Sequence, residues 1–400
     1  MDTVYKKSME YHKKFGGKIT TKALVNVSNK NDLSLAYTPG VAESCRAIVK
    51  NIAEAYNLTW KGRTVAVISD GSAVLGLGNI GADAAIPVME GKALLIKKFA
   101  GIDAVPIVIN TQNSDEIIRF VQQIAPNFAG INLEDISAPR CFQIEESLQN
   151  IGIPVFHDDQ HGTAIAVTAA LHNAAKVVKK PYRSLKVIIV GAGAAGISIS
   201  RMLLGLDCFG KKCLRNLNIE SVQDVILVDR KGALYSGRDD QNIYKQVVAA
   251  MSNKSKKKGS LTQVVKGADA IIGVSGPNTI TEAMIRDMSV KPIVFAMANP
   301  TPEILPDAAK RAGAYVVATG RSDFPNQINN VLVFPGVFKA VVQKRLKIIT
   351  SEMKIATSRT LEKMVKNPSA NNIIPDVFTP NLADKVARAI LRLTSGKKGL

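Results

Sequence analysis

The chain has 400 residues, 46% of them hydrophobic, and a formal net charge of +19. This length suits two domains of ordinary size, and the hydrophobic content without long polar tracts excludes a largely disordered protein. The sequence has no apolar signal core at its start and no apolar run of the roughly 18 residues that a membrane span needs, so it predicts a cytoplasmic protein without membrane association.

The excess positive charge raises the question of nucleic-acid binding. Lysine residues occur as scattered pairs, such as Lys97-Lys98 and Lys179-Lys180, without the interleaved aromatic residues that single-strand binders use. The charge therefore predicts a basic surface suited to small anions, or a solvated face, and no specific nucleic-acid partner.

The four cysteine residues include no C-x-x-C pair, which argues against a zinc ribbon or a thioredoxin-like motif. Cys208 and Cys213 lie in a basic segment that is predicted to be a surface loop. Reduced thiols are expected throughout.

In chain order, the first sixty residues are predicted to be largely helical, with breaks at 26–31 and 37–40. The second break contains Tyr37, Thr38 and Pro39. Because the residue before a proline avoids helical geometry, Tyr37 is expected at a turn rather than inside a regular element.

From residue 63 strands and helices alternate, which is the pattern of a parallel sheet. Strands are predicted at 64–69, 105–109 and 129–133, with helices at 84–99 and 114–124.

A second alternating series begins at residue 185. Its predicted strands are 186–190, 225–228, 270–274, 293–296 and 315–318. Later helices at 357–363 and 382–393 are expected to pack back on the body. The sequence therefore predicts an α/β protein with two α/β domains, residues 1–160 and 161–400, of which the second is a Rossmann-type dinucleotide-binding domain.

Two pairs of adjacent carboxylates, Glu134-Asp135 and Asp158-Asp159, each follow an apolar, strand-like run. Ligands of open α/β sheets bind at the carboxyl ends of strands, and hard carboxylate oxygens suit Mg²⁺ or Mn²⁺. Each pair could equally cap a following helix, since acidic side chains favour a helix N-terminus. The pairs alone leave a metal site and a structural role equally open.

Two G-x-G-x-x-G strings occur, at 76–81 and 191–196. Only the second directly follows a predicted strand and opens a predicted helix, as a dinucleotide-binding turn requires. The first is expected to be a tight loop with close backbone approach. The predicted cofactor contacts in the second string are Gly191, Gly193, Ala194, Ala195 and Gly196.

The dinucleotide fingerprint also needs an acidic residue at the end of the next strand, and Asp229 meets this requirement. It lies further downstream than the usual distance of about 20 residues, which an inserted loop at 207–221 would account for. Asp229 favours the ribose 2′-hydroxyl of NAD, whereas Arg230 and Lys231 beside it could bind the 2′-phosphate of NADP. NAD and NADP both stay open on these residues.

Lys92 follows Gly91 and precedes the apolar run 93–96, a pattern that indicates a helix entrance near the ends of the strands. Near carboxylates and a metal, a partly buried lysine can have its pKa lowered enough to act as a base. Taken alone, Lys92 is more often a surface lysine and Tyr37 an ordinary half-buried aromatic residue.

Several motifs, in this order along the chain, closely resemble those of the malic enzymes in their short, bacterial-type form. They are 37–41, the glycine loop 70–81, Glu90-Gly91-Lys92, Glu134-Asp135, Asp158-Asp159, 191–196, 295–300 and 329–336. The resemblance covers nearly the whole chain.

The resemblance implies a metal-dependent homodimeric enzyme that oxidatively decarboxylates L-malate to pyruvate and carbon dioxide and reduces NAD(P)⁺. It also implies that Glu134, Asp135 and Asp159 coordinate Mg²⁺ or Mn²⁺. Non-oxidative decarboxylation of oxaloacetate and conversion of malate to lactate are the alternative reactions. A basic regulatory or nucleic-acid-binding protein on the same scaffold is the rival of another class, which the catalytic groups present argue against.

By the same resemblance, Lys92 removes the malate hydroxyl proton with Asp158 orienting it, and Tyr37 protonates the enolpyruvate carbon. Asn299 and Asn330 match positions that hold the substrate and the nicotinamide amide. The chemistry itself demands a base, an acid, a hydride acceptor and a cation facing the developing negative charge.

One position departs from the larger, animal-type members. They carry an arginine for the substrate carboxylate where this chain has Ala73. The carboxylate clamp is therefore expected elsewhere, with the backbone amides of 72–75 as one candidate.

Overall fold

The computed structural model describes residues 2–74, 76–209 and 212–394. The helices are α1 (Asp2–Phe15), α2 (Lys30–Ala36), α3 (Val41–Lys50), α4 (Ala55–Leu58), α5 (Gly81–Ala100), α6 (Ser114–Ile124), α7 (Arg140–Ser147), α8 (Asp158–Val178), α9 (Ala194–Leu203), α10 (Ile243–Met251), α11 (Leu261–Val264), α12 (Glu282–Arg286), α13 (Pro306–Arg311), α14 (Phe334–Lys344), α15 (Ser351–Met364) and α16 (Leu382–Thr394). The sequence of residues 395–400 predicts a loose end of the chain, and these residues lie outside the described ones.

The strands form three sheets. They are β1 (Thr64–Ser69), β2 (Asp103–Val108), β3 (Gly130–Leu133), β4 (Val155–His157), β5 (Lys186–Val190), β6 (Leu206–Phe209), β7 (Lys212–Arg215), β8 (Asp224–Asp229), β9 (Gly232–Ala233), β10 (Ala270–Gly273), β11 (Ile293–Ala296) and β12 (Val316–Thr319). Among the described helices, none combines the length and the apolar composition that a bilayer crossing needs.

The first sheet has the order β2-β1-β3-β4, and all its strands are parallel. The strands β1, β3 and β4 are buried on both faces, as parallel strands usually are, and the edge strand β2 is partly buried. Leu133 at the end of β3 lies opposite His157 at the end of β4. Because the two strands run in the same direction, Glu134 and Asp158, which follow these ends, emerge side by side.

The second sheet has the order β12-β11-β10-β5-β8-β9, with five parallel strands and the short antiparallel β9 at one edge. β5 lies between β10 and β8, so the chain leaves β5 towards one side of the sheet and later returns on the other. Dinucleotides bind in the crevice at such a switch point. The predicted fold class, two α/β units with a Rossmann-type second unit, is confirmed.

The helices after residue 333 pack back on the body, as expected. α14 and α16 pack against each other and against α5 of the first unit, and α15 packs against α8. α8 itself runs continuously through residue 160, so no loop marks the predicted division there. The division into 1–160 and 161–400 stays a prediction.

The predicted loop at 207–221 contains a small antiparallel hairpin, β6 and β7. Cys208 lies directly opposite Cys213 in this hairpin, and the two form a disulfide. The expectation of reduced thiols is wrong for this pair, because antiparallel pairing brings their Cα atoms to 4.0 Å. Cys45 and Cys141 are free.

Candidate active site

Three carboxylates meet where β3 and β4 end. Glu134, Asp135 and Asp159 each offer an oxygen atom within 4.8 Å of the others. Asp135 adopts a left-handed backbone conformation with φ 55°, and its N–H donates a hydrogen bond of 2.8 Å to Asp159 Oδ2. Such strain in a residue other than glycine is concentrated at functional sites. This cluster offers the hard oxygen ligands that a divalent cation prefers.

Lys92 lies beside this cluster. Its Nζ atom forms ion pairs of 2.7 Å with both Glu134 Oε1 and Asp158 Oδ2, and it lies 4.3 Å from the centre of the Phe334 ring. The expected position at a helix entrance is wrong, because α5 begins eleven residues earlier, at Gly81. Lys92 lies on the buried face of α5, and this position within the helix brings its side chain to the ends of the strands.

The direction of the pKa shift of Lys92 is also opposite to the expectation. Burial alone would lower the pKa of this amine, but the carboxylates of Asp158, Glu134 and Asp159 outweigh burial and raise the pKa above its ordinary value. Burial in turn raises the pKa of Asp158 and of Glu134, although Lys92 opposes the rise. In this arrangement Lys92 is a cation shared by two carboxylates.

Two neighbours of this cluster were not predicted from the sequence. Asn132 donates a hydrogen bond of 2.7 Å to Glu134 Oε2 and so orients this carboxylate. Asn132 precedes Glu134 by two residues. Because side chains two residues apart on a strand point to the same face, this spacing could have indicated the contact. Phe334, which covers the Lys92 ammonium, comes from α14 and left no local signal.

A cleft of about 720 Å³ joins the carboxylates to the second unit. Its walls include Asp135 and Asp159 on one side and Gly193, Ala194 and Ala195 on the other. Asn299 and Asn330, predicted from the resemblance to hold substrate and nicotinamide, also line it. A dinucleotide on the glycine turn would therefore extend towards the acidic cluster.

The glycine turn has the geometry that a pyrophosphate site needs. Gly191 directly follows β5 and has φ 114°, a conformation that favours glycine. A Cβ atom on Gly196 would overlap the carbonyl oxygen of Gly191, so α9 can begin close to the strand only with glycine there. α9 begins at Ala194 and directs its N-terminus to the cleft, where it favours an anion.

The loop 76–81 also behaves as expected. A Cβ atom on Gly76 would overlap the carbonyl oxygen of Asn299, so this loop approaches the backbone of the second unit closely. Ser72, which precedes this loop, accepts a hydrogen bond of 2.8 Å from Arg140, whose guanidinium pairs with Asp70. Leu75, one end of the predicted backbone clamp for the substrate carboxylate, lies outside the described residues.

The Asp229 carboxylate is already neutralised by cations. It accepts hydrogen bonds from Arg238 Nη2 at 2.8 Å and from Lys245 Nζ at 2.7 Å. Burial alone would raise the pKa of Asp229, but Lys245 and Arg238 hold it below its ordinary value. Lys231 pairs with Asp240 instead, and Arg230 is exposed.

Tyr37 is the one predicted catalytic residue that the fold does not bring to this cluster. It follows α2 as its C-terminal cap and is 67% exposed. It is not among the described residues that line the cleft. The proposed acid and the proposed base therefore lie apart within a single chain.

Gly162 provides a sharp test of the geometry around Asp158. A methyl group at this position would overlap Asp158 Oδ1 and lie 2.9 Å from the Cβ atom of Asn330. We expect Gly162→Ala to lower kcat about a hundredfold, because a displacement of about 1 Å in a reacting group costs that much. Steady-state kinetics measure kcat, and a thermal unfolding curve measures any change in stability.

The matched control is Gly91→Ala in α5. The nearest atom to its added methyl group is Lys18 Nζ at 3.9 Å, so nothing has to move. Replacing a helical glycine by alanine stabilises a helix by up to about 1 kcal/mol, and kcat should stay unchanged. Equal kcat values for the two variants would contradict the geometry described for Asp158.

The fold and the cleft together define a class of protein: a two-unit α/β dehydrogenase-type enzyme with an acidic cation site facing a dinucleotide turn. Two family models match the chain. The malic enzyme N-terminal domain matches residues 16–116 and 111–149, and the malic enzyme NAD binding domain matches residues 160–394. The chain belongs to the malic enzyme family, which confirms the resemblance.

Individual relatives agree. The chain is 49% identical to the bifunctional malic/malolactic enzyme of Bacillus subtilis over 96% of this chain and 92% of that protein. It is 48% identical to the NAD-dependent malic enzyme of Geobacillus stearothermophilus over 94% of this chain and 76% of that protein. The crystal structure of the NAD-dependent malic enzyme of Thermotoga maritima superposes with a TM-score of 0.88 at 44% identity, covering 96% of this chain and 98% of that one.

Proposed function

We propose that the chain catalyses the oxidative decarboxylation of L-malate to pyruvate and carbon dioxide with reduction of NAD(P)⁺. The observation that carries this proposal is the single cleft that has a carboxylate cluster on one wall and a dinucleotide turn on the other. The names of the relatives, which include NAD-dependent and NADP-dependent malic enzymes, agree with it.

The acidic cluster fits a divalent cation, because three carboxylate oxygens lie within 4.8 Å of one another and hard oxygen ligands suit Mg²⁺ or Mn²⁺. Glu134, Asp135 and Asp159 are the proposed ligands. When bound there, such a cation would supply Lewis acidity that stabilises negative charge on the substrate oxygens.

Lys92 is the proposed base for the malate hydroxyl. Its ion pairs with Asp158 and Glu134 hold the amine at a fixed point beside the cluster. A divalent cation on these carboxylates would offset the negative charge that keeps Lys92 protonated, so that the amine could accept the hydroxyl proton. Asn299 and Asn330, on the wall of the cleft, are proposed to orient the substrate and the nicotinamide amide. Asp158 is proposed to position Lys92.

The test of the activity is direct. Purified protein mixed with L-malate, Mn²⁺ and NAD⁺ or NADP⁺ should accumulate reduced cofactor and pyruvate in equal amounts. Lactate in place of pyruvate, without net reduction of cofactor, would identify the malolactic reaction, which the name of the Bacillus subtilis relative makes the second candidate. Absence of any product with both cofactors would contradict the assignment.

The cations around Asp229 bear on the choice of cofactor. A carboxylate that already accepts hydrogen bonds from Arg238 and Lys245 is a poor partner for a ribose hydroxyl. Exposed Arg230 adds a positive charge next to it. We therefore propose that the site accepts NADP⁺ in preference to NAD⁺, since a 2′-phosphate would meet a net positive charge.

The expected result is a kcat/KM for NADP⁺ about tenfold above that for NAD⁺, the factor that one charge-assisted hydrogen bond supplies. Arg230→Gln should remove most of this preference by weakening NADP⁺ alone. Calorimetric measurement of the affinities for 2′,5′-ADP and 5′-AMP tests the preference for a 2′-phosphate without turnover. A preference of the wild type for NAD⁺, or a preference for NADP⁺ that survives Arg230→Gln, would contradict the proposal.

A homodimer is proposed because of the apolar side chains that the chain leaves exposed. Exposed large apolar side chains are concentrated before residue 61, and large amounts of exposed apolar surface are typical of association sites. The cytoplasmic location and the absence of a specific nucleic-acid partner stay predictions.

A further inference from the structure

A second pocket lies among α8, α9, α15 and the hairpin of β6 and β7, and it shares no lining residue with the cleft. Its volume is about 80 Å³, several times the roughly 10–15 Å³ that one water molecule needs. Its polar lining consists of His161, Ser198, Arg201, Asp207, Ser351 and Lys354. The pocket therefore has room for a small polar molecule, and none of these side chains has a role in the proposed reaction.

Arg201 is a partly buried cation of this lining. Its guanidinium lies 5.5 Å from the centre of the Phe142 ring and 5.8 Å from that of Tyr244. Its Nε and Nη2 atoms are buried and have no hydrogen-bond partner among the described residues. Burial lowers the pKa of Arg201, although Glu146 opposes this shift. Because unmade hydrogen bonds of a charged group are costly, an acceptor beside Arg201 would be stabilising.

Lys354 is the second cation of the pocket. Its Nζ atom lies 3.1 Å from His161 Nδ1, and it forms no direct ion pair with a carboxylate of the described part of the chain. It reaches Glu145 only through the His161 ring, whose Nε2 donates a hydrogen bond of 2.8 Å to Glu145 Oε1. Burial lowers the pKa of Lys354, although Glu145 opposes this shift. Two cations therefore line one pocket without an anion in contact with either.

The N-terminus of α15 adds positive potential to the same pocket. Ser351, the first residue of this 14-residue helix, is part of the lining. The preceding residue, Thr350, caps the helix by accepting the N–H of Met353. Since a helix N-terminus carries a partial positive charge, it reinforces the two cations. The pocket as a whole is suited to an anion.

Asp207 restricts which anion fits. Its Oδ2 atom accepts a hydrogen bond of 2.8 Å from Asn216 Nδ2, whereas its Oδ1 atom is buried without a partner among the described residues. A carboxylate oxygen accepts hydrogen bonds and repels another bare anion. The occupant must therefore offer negative charge to Arg201 and Lys354 and a proton to Asp207.

We infer that this pocket is a binding site for a hydrogen phosphate group. The phosphate oxygens would accept from Arg201 and Lys354, and the P–OH group would donate to Asp207 Oδ1, so both kinds of unmade hydrogen bond are satisfied together. Sulfate has the same shape but keeps no proton at neutral pH, so one of its oxygens would lie against the carboxylate of Asp207. The pocket selects phosphate over sulfate for this reason.

The experiment measures the affinities of the metal-free protein for inorganic phosphate and for sulfate by calorimetry. The wild type should bind phosphate at least about tenfold more tightly than sulfate, and Lys354→Gln should weaken phosphate binding by a similar factor, since each change removes one charge-assisted hydrogen bond. Lys363→Gln, an exposed lysine of the same helix, is the matched control and should leave the affinity unchanged. Methyl phosphate, used in the same way, distinguishes free phosphate from the end of a phosphate ester.

Asp207→Asn is the sharpest variant, because a gain of binding is expected. The amide oxygen would keep the hydrogen bond from Asn216, which leaves the NH₂ group as a donor where Asp207 Oδ1 stood. Sulfate should then bind about as tightly as phosphate, a result that misfolding cannot produce. Because Lys354 and Asp207 lie outside the cleft, these variants also distinguish the pocket from anion binding at the glycine turn.

Three results would each overturn the inference. They are equal affinities of the wild type for phosphate and sulfate, an unchanged phosphate affinity in a folded Lys354→Gln variant, and continued exclusion of sulfate by Asp207→Asn. Thermal unfolding curves establish that each variant is folded. None of these measurements depends on turnover, so their outcome is independent of the proposed function.

Discussion

Lys92→Ala is expected to lower kcat by about a hundredfold or more, the usual contribution of an acid or base group. Lys92 is the one amine in ion-pair contact with both Glu134 and Asp158 among the described residues. The substitution also leaves two buried carboxylates without their cation, which commonly costs about 3–5 kcal/mol of stability. Steady-state kinetics and thermal unfolding should therefore be measured on the same preparation.

Two further variants separate chemistry from folding. Lys92→Arg keeps a positive charge between the carboxylates, but a guanidinium does not give up its proton. This variant should therefore be inactive, and its unfolding temperature should be closer to that of the wild type than the unfolding temperature of Lys92→Ala is. Lys97→Ala removes an exposed lysine of the same helix that pairs with Asp103, and it should leave kcat unchanged. A Lys92→Arg variant with near-normal turnover would remove Lys92 from its role as a base.

Asp159→Asn is expected to raise the Mn²⁺ concentration needed for half-maximal activity by at least about tenfold, since even residues that only support metal ligands change affinity by that much. The amide oxygen can still accept the hydrogen bond from the N–H of Asp135, so the local backbone should be retained. Titration of Mn²⁺ followed by electron paramagnetic resonance measures the affinity without turnover.

Asp115→Asn is the matched control for this change. Asp115 also lies in the first turn of a helix, α6, but it is exposed and outside the acidic cluster. Its substitution should leave Mn²⁺ binding unchanged. Equal Mn²⁺ affinity in Asp159→Asn and wild type would place the cation elsewhere in the protein.

Predictions that depend on local chain geometry were confirmed. The strands at 186–190 and 293–296 and the helix at 114–124 were predicted with the bounds they have in the structure. The glycine turn at 191–196 was also recognisable, because the strand, the turn and the helix that it needs are adjacent in sequence. Each of these features depends on neighbouring residues alone.

Predictions that depend on strand pairing or on contacts between distant segments were less successful. The pKa of Lys92 was expected to be lowered, but carboxylates 42 and 66 residues away raise it. The disulfide of Cys208 and Cys213 depends on a hairpin that the segment's polarity did not indicate. In both cases strand pairing or packing brings the interacting groups together, and the composition of the local segment does not indicate this.

The sequence by itself determined the family, the α/β class, the glycine turn and the identity of the acidic residues, since these are properties of short segments. Only the tertiary structure decided that Lys92 is shared by Glu134 and Asp158, that Asp229 is neutralised by Arg238 and Lys245, and that Tyr37 stands outside the cleft of its own chain. The physical reason is that charge and exposure are set by the groups that surround a side chain, and folding gathers those groups from distant parts of the chain.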